Sequence, residues 1–375
     1  MKLHRFIGTR VPVAVGLLAL LCACGAEFDS AGQLSGLRVL AVKKSSPYVR
    51  PGGGVKLELL WHDTEAQTRT GPPQMAWLAL CENPPGDLFE QCLSQPLDLE
   101  APNLASRVSL PPADAELAND SFSFTTSPNL ISSRPPPKDP TVPAYGLNYV
   151  FFAACGGEID LRPGLGFPFP CFEELDDQPG FTAGDRRLDS KNFVVGYSAV
   201  FGYEQLENQN PLILGWSFDG VRLMPESGPG TAETDDADVM RLAPPDFCIG
   251  SECTPPPREE DPASCPDLLT LPACSGDCRV IDTRPIIDPA SAEIDAGASS
   301  GRDVALGEQM WVNYYSAGGE FEQEVRLLND AIVGWNDDVG TGYQPDPEAR
   351  VSYLWAVAHD NRGGVEWARL RICTR

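Results

Sequence analysis

The sequence is poor in histidine and in basic residues, on which many enzymes and nucleic-acid-binding proteins depend. Its 375 residues include three histidines and 28 lysines and arginines, against 53 aspartates and glutamates. The formal net charge of −25 repels nucleic acid and anionic lipid head groups, so we expect no nucleic-acid partner. The apolar run at residues 11–21 is also short, about half of the roughly 20 residues that a membrane-spanning helix needs.

Several sequence motifs of enzymes are absent as well. The chain contains no phosphate-binding P-loop, no dinucleotide-binding fingerprint and no His-Glu-x-x-His zinc motif. A catalytic triad would depend on His62 or His359, and both lie on predicted strands or strand ends, where surface imidazoles are the expectation. We therefore predict a protein that is not an enzyme, with no catalytic residue and no cofactor.

The N-terminus carries the parts of an export signal: three basic residues, an apolar stretch and small residues at its end. Residues 21–24, Leu-Cys-Ala-Cys, resemble the processing site of bacterial lipoproteins at each position. The resemblance implies cleavage between Ala23 and Cys24, a diacylglyceryl thioether on Cys24 and an acylated amino group. Gly25 resembles the residue that follows the lipidated cysteine in lipoproteins sorted to the outer membrane.

We accordingly predict a signal peptide at residues 1–23, a tether at residues 24–35, and a protein anchored by lipid at the periplasmic face or the cell surface. Several acyl chains anchor durably, because each buried CH₂ contributes about 0.8 kcal/mol. Removal of the signal peptide leaves 25 basic and 53 acidic residues, a charge of −28, so the lipid is the expected membrane contact. A secreted protein with a chance cysteine at the cleavage site is the alternative.

Ten cysteines remain when Cys22 is removed with the signal peptide and Cys24 is acylated. The number is even and an exported protein matures in an oxidising compartment, so we expect disulfides rather than a zinc site. In the first half, the local pairs Cys81 with Cys92 and Cys155 with Cys171 are favoured. In the second half the connectivity stays open among six residues: Cys248, Cys253, Cys265, Cys274, Cys278 and Cys373.

Short apolar segments between clusters of Gly, Pro, Asn and Asp predict a β-rich fold. Residues 55–61 alternate, which places Val55, Leu57, Leu59 and Trp61 on one face of a half-buried strand. Further strands of the first half are predicted at residues 37–42, 75–81, 121–125, 149–155 and 193–203.

A second set of strands begins near residue 210. Residues 211–218, the turn dipeptide Asp219-Gly220 and residues 221–223 predict a hairpin. Additional strands are predicted at residues 309–316, 351–359 and 365–373.

The last two of these strands are separated by a Gly-containing turn and predict an antiparallel hairpin. In the final strand we expect Ala368, Leu370 and Ile372 to face the core. Arg369 and Arg371 are expected to face water.

Residues 225–281 are rich in Pro, Gly, Asp, Glu and Cys, which predicts a solvated insertion pinned by disulfides rather than a packed core. Asp235, Asp236 and Asp238 in this segment are weak calcium candidates, as are Asp337 and Asp338 further on. Neither cluster has the spacing of an EF-hand, so solvated acidic loops are the expectation and no metal is predicted.

The final hairpin resembles the closing hairpin of immunoglobulin-like and PKD-like bacterial surface domains. With residues 311–315 and the opening strand at residues 37–42, the chain resembles myxobacterial-type cell-surface lipoproteins of deltaproteobacteria. The resemblance implies an all-β fold of two immunoglobulin-like β-sandwich domains in tandem, and it carries over no catalytic residue. The implied domains cover residues 36–208 and 209–375, with the insertion at residues 225–281 in the second.

These features predict a lipid-anchored, non-enzymatic binding or scaffold module of the cell envelope, with an envelope protein or a glycan as partner. One alternative is a purely structural envelope component. Another is a hydrolase with two facing carboxylates in a cleft, one with a raised pKa. Tyr314, Tyr315, Trp355 and Trp367 would form a carbohydrate platform if they faced outward together, although core packing is the expectation.

Overall fold

Strands make up 51% of the chain and helices 6%, which confirms the predicted all-β class. The computed structural model describes residues 32–66, 69, 71–93, 106–111, 119–161, 169–173, 186–226, 239–253, 269–294, 299 and 305–375. Gly32–Arg375 form one body by their internal contacts. We call residues 32–208 the first half and residues 209–375 the second half.

Strand bounds of the first half are β1 Leu37–Lys44, β2 Tyr48–Val49, β3 Gly54–Asp63, β4 Gln74–Glu82, β5 Val108–Ser109, β6 Ser121–Thr125, β7 Tyr145–Cys155, β8 Glu158–Ile159, β9 Cys171–Phe172 and β10 Phe193–Tyr203. Strand bounds of the second half are β11 Ile213–Phe218, β12 Val221–Pro225, β13 Val239–Leu242, β14 Phe247–Ile249, β15 Thr270–Leu271, β16 Ile281–Ile287, β17 Met310–Ser316, β18 Glu320–Phe321, β19 Val325–Asp330, β20 Gly334–Trp335, β21 Thr341–Gln344, β22 Arg350–Asp360 and β23 Val365–Thr374.

Helical structure is confined to short turns in the described residues. One α-helical turn, α1, covers Glu90–Leu93, and single 3₁₀ turns cover Pro85–Asp87, Gly250–Cys253 and Pro289–Ser291. No helix in this described part of the chain is both long enough and apolar enough to cross a bilayer.

Two main sheets of the first half share a core. Their strand orders are β1-β3-β6 and β2-β10-β7-β4-β5. The alternation predicted for residues 55–61 is confirmed, because the side chains of Val55, Leu57, Leu59 and Trp61 all join this core. Period-two alternation thus determines which face of β3 turns inward.

Two larger sheets of the second half share another core. One has the order β13-β12-β11-β16-β21-β18, and the other has the order β14-β23-β22-β17-β19-β20 with β15 added beside β23. Trp216, Tyr314 and Tyr343 are among the fully buried side chains between these sheets.

The hairpin predicted around Asp219-Gly220 is confirmed. Phe218 pairs with Val221 across the turn, and both turn residues have positive φ, 51° for Asp219 and 82° for Gly220. Asp and Gly tolerate this left-handed backbone better than branched residues, so this dipeptide suits a two-residue turn.

The final antiparallel hairpin is confirmed as well, but the expectation for its arginines is wrong. Val351 pairs with Cys373 and His359 pairs with Val365. Arg369 and Arg371 are each only 3% exposed, because the face of β23 on which they lie is itself covered. Arg369 Nη1 donates to Cys253 O at 2.7 Å, and Arg371 Nη1 donates to Asp246 Oδ1 at 2.7 Å.

Parts of the segment at residues 225–281 contradict the prediction of a solvated insertion. β13 pairs with β12, while β14 and β15 pair with β23. Phe247, Leu269 and Leu271 enter the core of the second half. A few apolar residues at the positions that pair with existing strands are sufficient to override the polar composition of the segment.

The predicted tether at residues 24–35 is wrong for its last residues. Ser316 N donates to Gly32 O at 2.8 Å, and Leu34 N donates to Ser316 O at 3.0 Å. The Leu34 side chain is buried. Residues 32–34 therefore belong to the folded body and pack on the second half.

A third apolar cluster joins the two halves, and we call it the junction. Leu34, Ala41 and Leu60 of the first half pack there with residues of β22 and β23. Its members from those two strands include Tyr353, Trp355, Val357, Val365 and Trp367. The outward face of the final hairpin is thereby removed from water.

Candidate functional site

The cysteines form short local disulfides. The structure joins Cys81 to Cys92, Cys155 to Cys171, Cys248 to Cys253, and Cys274 to Cys278. The first two are the pairs favoured by the sequence, and the last two give part of the connectivity that the sequence left open. Cys373 is also disulfide-bonded, and Cys265 lies outside the described residues.

Two other groups of predicted site residues lie outside the described residues. These are the processing site, Ala23 and Cys24, and the acidic cluster Asp235, Asp236 and Asp238. The second acidic pair is described: the carboxylate of Asp338 contacts Arg326 at 3.3 Å. In the part of the chain that the structure describes, no group of three or more His, Cys, Asp or Glu side chains could hold a metal ion.

Both histidines of the folded body pack against tryptophans. The ring of His62 lies 4.8 Å from that of Trp355 at the junction, and the ring of His359 stacks on Trp311 at 5.2 Å. Burial lowers the pKa of His62 to about 4 and that of His359 to about 4, so both rings are neutral at pH 7. The expectation of a surface imidazole is wrong for His62.

Residues 297–301, Gly-Ala-Ser-Ser-Gly, have the spacing of a hydrolase nucleophile motif. Of these residues the structure describes Ser299, whose hydroxyl accepts a hydrogen bond from Leu306 N at 2.8 Å. The imidazoles of His62 and His359 lie against tryptophans instead. The described contacts therefore give Ser299 a local structural partner.

The four aromatic residues considered as a carbohydrate platform lie in different environments. Tyr314 is buried in the core of the second half, where its hydroxyl donates to Val339 O at 2.8 Å. Trp355 and Trp367 are buried in the junction, with Tyr315 half-buried against it. The expectation of core packing is therefore confirmed for the three buried rings.

A buried ionic cluster lies beside the junction. The guanidinium of Arg362 bonds the carboxylate of Glu308, and its Nη2 donates to Glu293 Oε2 at 2.6 Å. Asp360 lies in the same cluster, and its Oδ1 accepts from Arg362 N at 2.8 Å. Burial and the charge of Asp360 raise the pKa of Glu308 to about 7, although Arg362 opposes this shift.

The same cluster holds the connector between the halves, residues 204–212. Asn208 accepts from Arg362 Nη2 at 2.8 Å and donates to Asp360 Oδ2 at 3.2 Å. Asn210 donates to Lys44 O at 2.7 Å and accepts from Val365 N at 3.0 Å. Both asparagines therefore take part in side-chain hydrogen bonds that fix the connector to the body.

Glu308 and Asp360 have one mark of the paired-carboxylate hydrolase considered from the sequence, since one of the two carboxyls has a raised pKa. However, the Glu308 side chain is 0% exposed, and that of its partner Arg362 is 6% exposed. A substrate would have no access to this pair. The arrangement fits a structural role in joining the halves.

A further apolar cluster lies on the outward side of β7 and β10, and its aromatic side chains are exposed in part. Its members alternate with core residues, and cross-strand pairs such as Tyr203 with Tyr145 and Tyr197 with Phe151 fix their shared side. We call this surface the tyrosine face; it consists of Tyr48, Phe89, Tyr145, Tyr149, Phe151, Val195, Tyr197, Phe201 and Tyr203.

Ring contacts join the tyrosine face in two groups, one at each end. Phe89 stacks on Tyr197 at 4.3 Å, and Tyr149 meets Tyr197 edge-on at 5.4 Å. At the other end, the rings of Tyr48 and Tyr203 are 4.6 Å apart. Tyr197 is 45% exposed and Val195 is 44% exposed, whereas Tyr149 and Phe151 beside them on β7 are buried, so the β10 side of the face is open to solvent.

An ion pair borders the tyrosine face. Arg134 donates to both carboxylate oxygens of Asp87, at 2.8 and 3.1 Å, and its guanidinium lies 4.2 Å from the ring centre of Tyr145. Partial burial of Asp87 raises the pKa of its carboxyl. Hydrogen bonds from Arg134 and Tyr145 lower that pKa by more, so it lies below the ordinary value. A cavity of about 430 Å³ adjoins this pair, with Pro135, Pro136 and Pro137 in its wall.

The sequence-based predictions did not include this surface, although the sequence contains a signal for it. Alternate positions of β10 place Tyr197, Phe201 and Tyr203 on one side. Gly196 and Gly202 lie on the opposite side, where an added Cβ would contact Phe152 and Leu130. Large rings on one side and glycines on the other indicate a strand whose accessible side is unusually aromatic.

Comparison with known proteins gives no further assignment. The chain matches no protein-family model and no curated protein.

Proposed function

We propose that this chain is a lipid-anchored, non-enzymatic protein of the bacterial cell envelope that binds a protein partner through the tyrosine face. The lipoprotein-like processing site at Ala23-Cys24 supports the anchor and outer-membrane location. The pair of sheets around a core in each half supports tandem immunoglobulin-like domains of the type suggested for deltaproteobacterial surface lipoproteins.

The tyrosine face is the observation that carries the binding role. Aromatic side chains contribute large contact areas with few rotatable bonds, and they are enriched where proteins bind each other. Val195 adds an exposed aliphatic residue beside Tyr197, which favours a protein surface as the occupant. The Arg134–Asp87 pair at the border supplies the polar rim that such interfaces have.

Capture of partners from envelope extract tests this proposal. Purified protein carrying Tyr197→Asp should lose a partner that the parent retains, because a carboxylate in the middle of the face would be desolvated on binding. Val325→Asp is the matched control, since Val325 is an exposed apolar residue on a strand of the second half. Purified partner and parent should then bind each other directly.

Four results would contradict the assignment. The face variant and the control could lose the partner equally, or both could retain it. Treatment of the extract with protease could leave the captured material intact, which would indicate a glycan. An extract without a reproducible partner would favour the purely structural role.

The anchor needs its own test. Cys24→Ala protein should leave the membrane fraction, and the parent should show the added mass of acyl chains on its processed N-terminus. If the variant fractionates with membranes as the parent does, and the parent has no acyl mass, the protein is not a lipoprotein.

A further inference from the structure

The turn between β19 and β20 carries the two most exposed large apolar side chains of the described residues. Val333 is 89% exposed and Ile332 is 83% exposed. Asp330 pairs with Gly334 across this turn, and Gly334 has a φ of 98°, a conformation that favours glycine. We call the short loop between them, residues 331–333, the apolar tip.

The backbone of the apolar tip is suited to an apolar environment. Asp330 Oδ1 accepts hydrogen bonds from Ile332 N at 2.8 Å and from Val333 N at 2.9 Å. An unpaired N–H is costly to remove from water, so these two bonds lower the cost of burying the side chains of the tip.

A third exposed aliphatic residue lies at the same end of the second half. Ile294 is 59% exposed and pairs with Gly307, whose N–H donates to Ala331 O at 3.1 Å. Three aliphatic side chains are few compared with the roughly 20–30 residues that each side of a stable protein interface contributes. A shallow contact with a bilayer needs less apolar surface, provided that a tether already holds the protein at the membrane.

The charges at this end favour neutral lipid over anionic lipid. The described carboxylates here include those of Glu293, Asp330, Asp337 and Asp338. Arginines pair with Glu293 at 2.6 Å and with Asp338 at 3.3 Å, so acidic groups still outnumber basic ones. Anionic head groups would be repelled, and the carboxylates limit insertion to the boundary between head groups and acyl chains.

The length of the chain allows a lipid at Cys24 and the apolar tip to reach one membrane. Gly32 O bonds Ser316 N at one end of β17, whereas Met310 at the other end pairs with Asn329, close to the tip. The six residue steps of β17 cover about 20 Å. The eight steps from Cys24 to Gly32 span at most about 28 Å.

We propose that the apolar tip inserts into the membrane that holds the lipid anchor, with Ile332 and Val333 among neutral phospholipids. A tether alone leaves the folded body free to rotate at the membrane. A second contact at the tip restricts that rotation and fixes which surfaces of the body face away from the bilayer. This inference rests on the proposed lipid anchor, so its test also uses an artificial anchor.

Fluorescence quenching on phosphatidylcholine vesicles tests the insertion. Val333→Cys protein carries an environment-sensitive dye at the new thiol, and the vesicles contain a lipid with a quenching spin label near its head group. The dye at position 333 should be quenched. The same dye on Val325→Cys protein is the matched control and should not be, because Val325 is an exposed residue at the other end of β19.

Two changes should weaken the quenching at position 333. Ile332→Ser should lower the equilibrium constant for insertion about 10-fold, because one of the aliphatic side chains is lost. Replacement of phosphatidylcholine by anionic phosphatidylglycerol should also reduce insertion, because the carboxylates at this end are repelled. Thermal unfolding of each variant verifies that it is folded.

The measurement is made with two anchors. One is the acylated protein, and the other is a protein in which a hexahistidine tag replaces residues 1–24 and binds a nickel-chelating lipid. Quenching at position 333 on the nickel lipid, in a protein whose parent proves not to be acylated, would support the tip and contradict the lipid anchor. Absence of quenching at 333 on the nickel lipid, equal quenching at 325, or stronger quenching on anionic vesicles would overturn the inference. Shielding of the dye by envelope proteins without vesicles would overturn it as well, because the tip would then contact a protein.

Discussion

Two outward sheet faces of this molecule are built on the same alternation of side chains but differ in their exposure to solvent. On β10, Tyr197 and Val195 are 45% and 44% exposed, whereas on β22 and β23, Trp355 and Trp367 are 1% and 0% exposed. The second face is covered because Leu34, Ala41 and Leu60 of the first half pack on it. Alternation determines which residues share a face, and only distant parts of the chain determine whether that face reaches solvent.

The covered face also shows what burial demands of polar groups. Trp367 donates its indole N–H to Gly250 O at 2.6 Å, and Lys43 forms an ion pair with Glu366 at 2.6 Å. Arg369 and Arg371 likewise bond backbone and carboxylate oxygens there. Buried charges and donors without such partners would cost several kcal/mol of stability. On the tyrosine face the buried Tyr149 hydroxyl likewise donates to Asp87 O at 2.8 Å, while water reaches the exposed Tyr197.

Removal of a ring from the covered face should have the largest effect on stability. Trp367→Ala is expected to reduce the free energy of unfolding by about 4 kcal/mol, because it leaves a cavity at the junction and an unpaired Gly250 carbonyl. Val195→Ala on the open face is the control and should change it by less than about 1 kcal/mol. Denaturant unfolding measures both. Similar losses in the two variants would mean that the faces do not differ in burial.

Loss of the arginine that ties the halves together should have the next largest effect. Arg362→Met is expected to cost about 3 kcal/mol, because Glu308 would be left buried without its partner. The double variant with Glu308→Gln should recover part of this loss, since the unpaired carboxylate is then absent. A double-mutant cycle by denaturant unfolding gives the coupling. Additive effects would show that Arg362 and Glu308 do not stabilise each other.

Acid should weaken the covered face through His62. The folded-state pKa of His62 lies near 4, below the unfolded value of 6.5, so its contribution to stability is present above pH 6.5 and is lost as the pH falls towards 4. Between about pH 7 and 5 this loss is about 2 kcal/mol. His62→Phe should remove that part of the pH dependence, measured by unfolding at each pH. An unchanged pH profile would mean that His62 titrates as an exposed imidazole.

Protonation of Glu308 has the opposite effect on stability over the same pH range. Its pKa is raised to about 7 from 4.5, so its contribution is full below pH 4.5 and is lost as the pH rises through 7. His359, whose pKa is likewise lowered to about 4, loses stability over the same range, so the His62→Phe protein should change little on mild acidification. Glu308→Gln in that background should make the protein less stable as the pH falls, because the loss at His359 is then unopposed.

The smallest effect on stability is expected on the open face, where the effect on binding should be large. Tyr197→Ala loses its stacking with Phe89 but leaves no closed cavity, so the free energy of unfolding should change by less than about 1 kcal/mol. Partner capture should nevertheless fall, because a central aromatic residue contributes strongly to an interface. A variant that unfolds readily would instead place Tyr197 in a structural role.

The sequence predicted local features better than it predicted which sheet faces are buried by distant segments of the chain. The inward set of β3 and the Asp219-Gly220 hairpin follow from spacing and turn chemistry over a few residues. The burial of Arg369 and Arg371 does not, because the segments that cover them, such as Cys253 and Asp246, are more than 100 residues away. Composition was also misleading for residues 239–253, where Phe247 and its neighbours complete a sheet.

The tyrosine face shows the same division. The outward set of β10 can be read from alternation, but the exposure of Tyr197 depends on which segments leave it open. This surface contains no motif whose spacing along the chain would reveal it.

The junction can be completed only late in folding, because it needs the last strand of the chain. Gly32 and Leu34, near the start of the folded body, bond Ser316, and β1 contacts β23, which ends at Thr374. A chain emerging from its N-terminus would therefore have to hold Ala41 and Leu60 in water until its last strand arrived. Contacts of such sequence separation slow folding and leave apolar surface open to wrong partners in the meantime. Premature truncation would remove the last strand and leave the first half with an exposed apolar surface that is prone to aggregation.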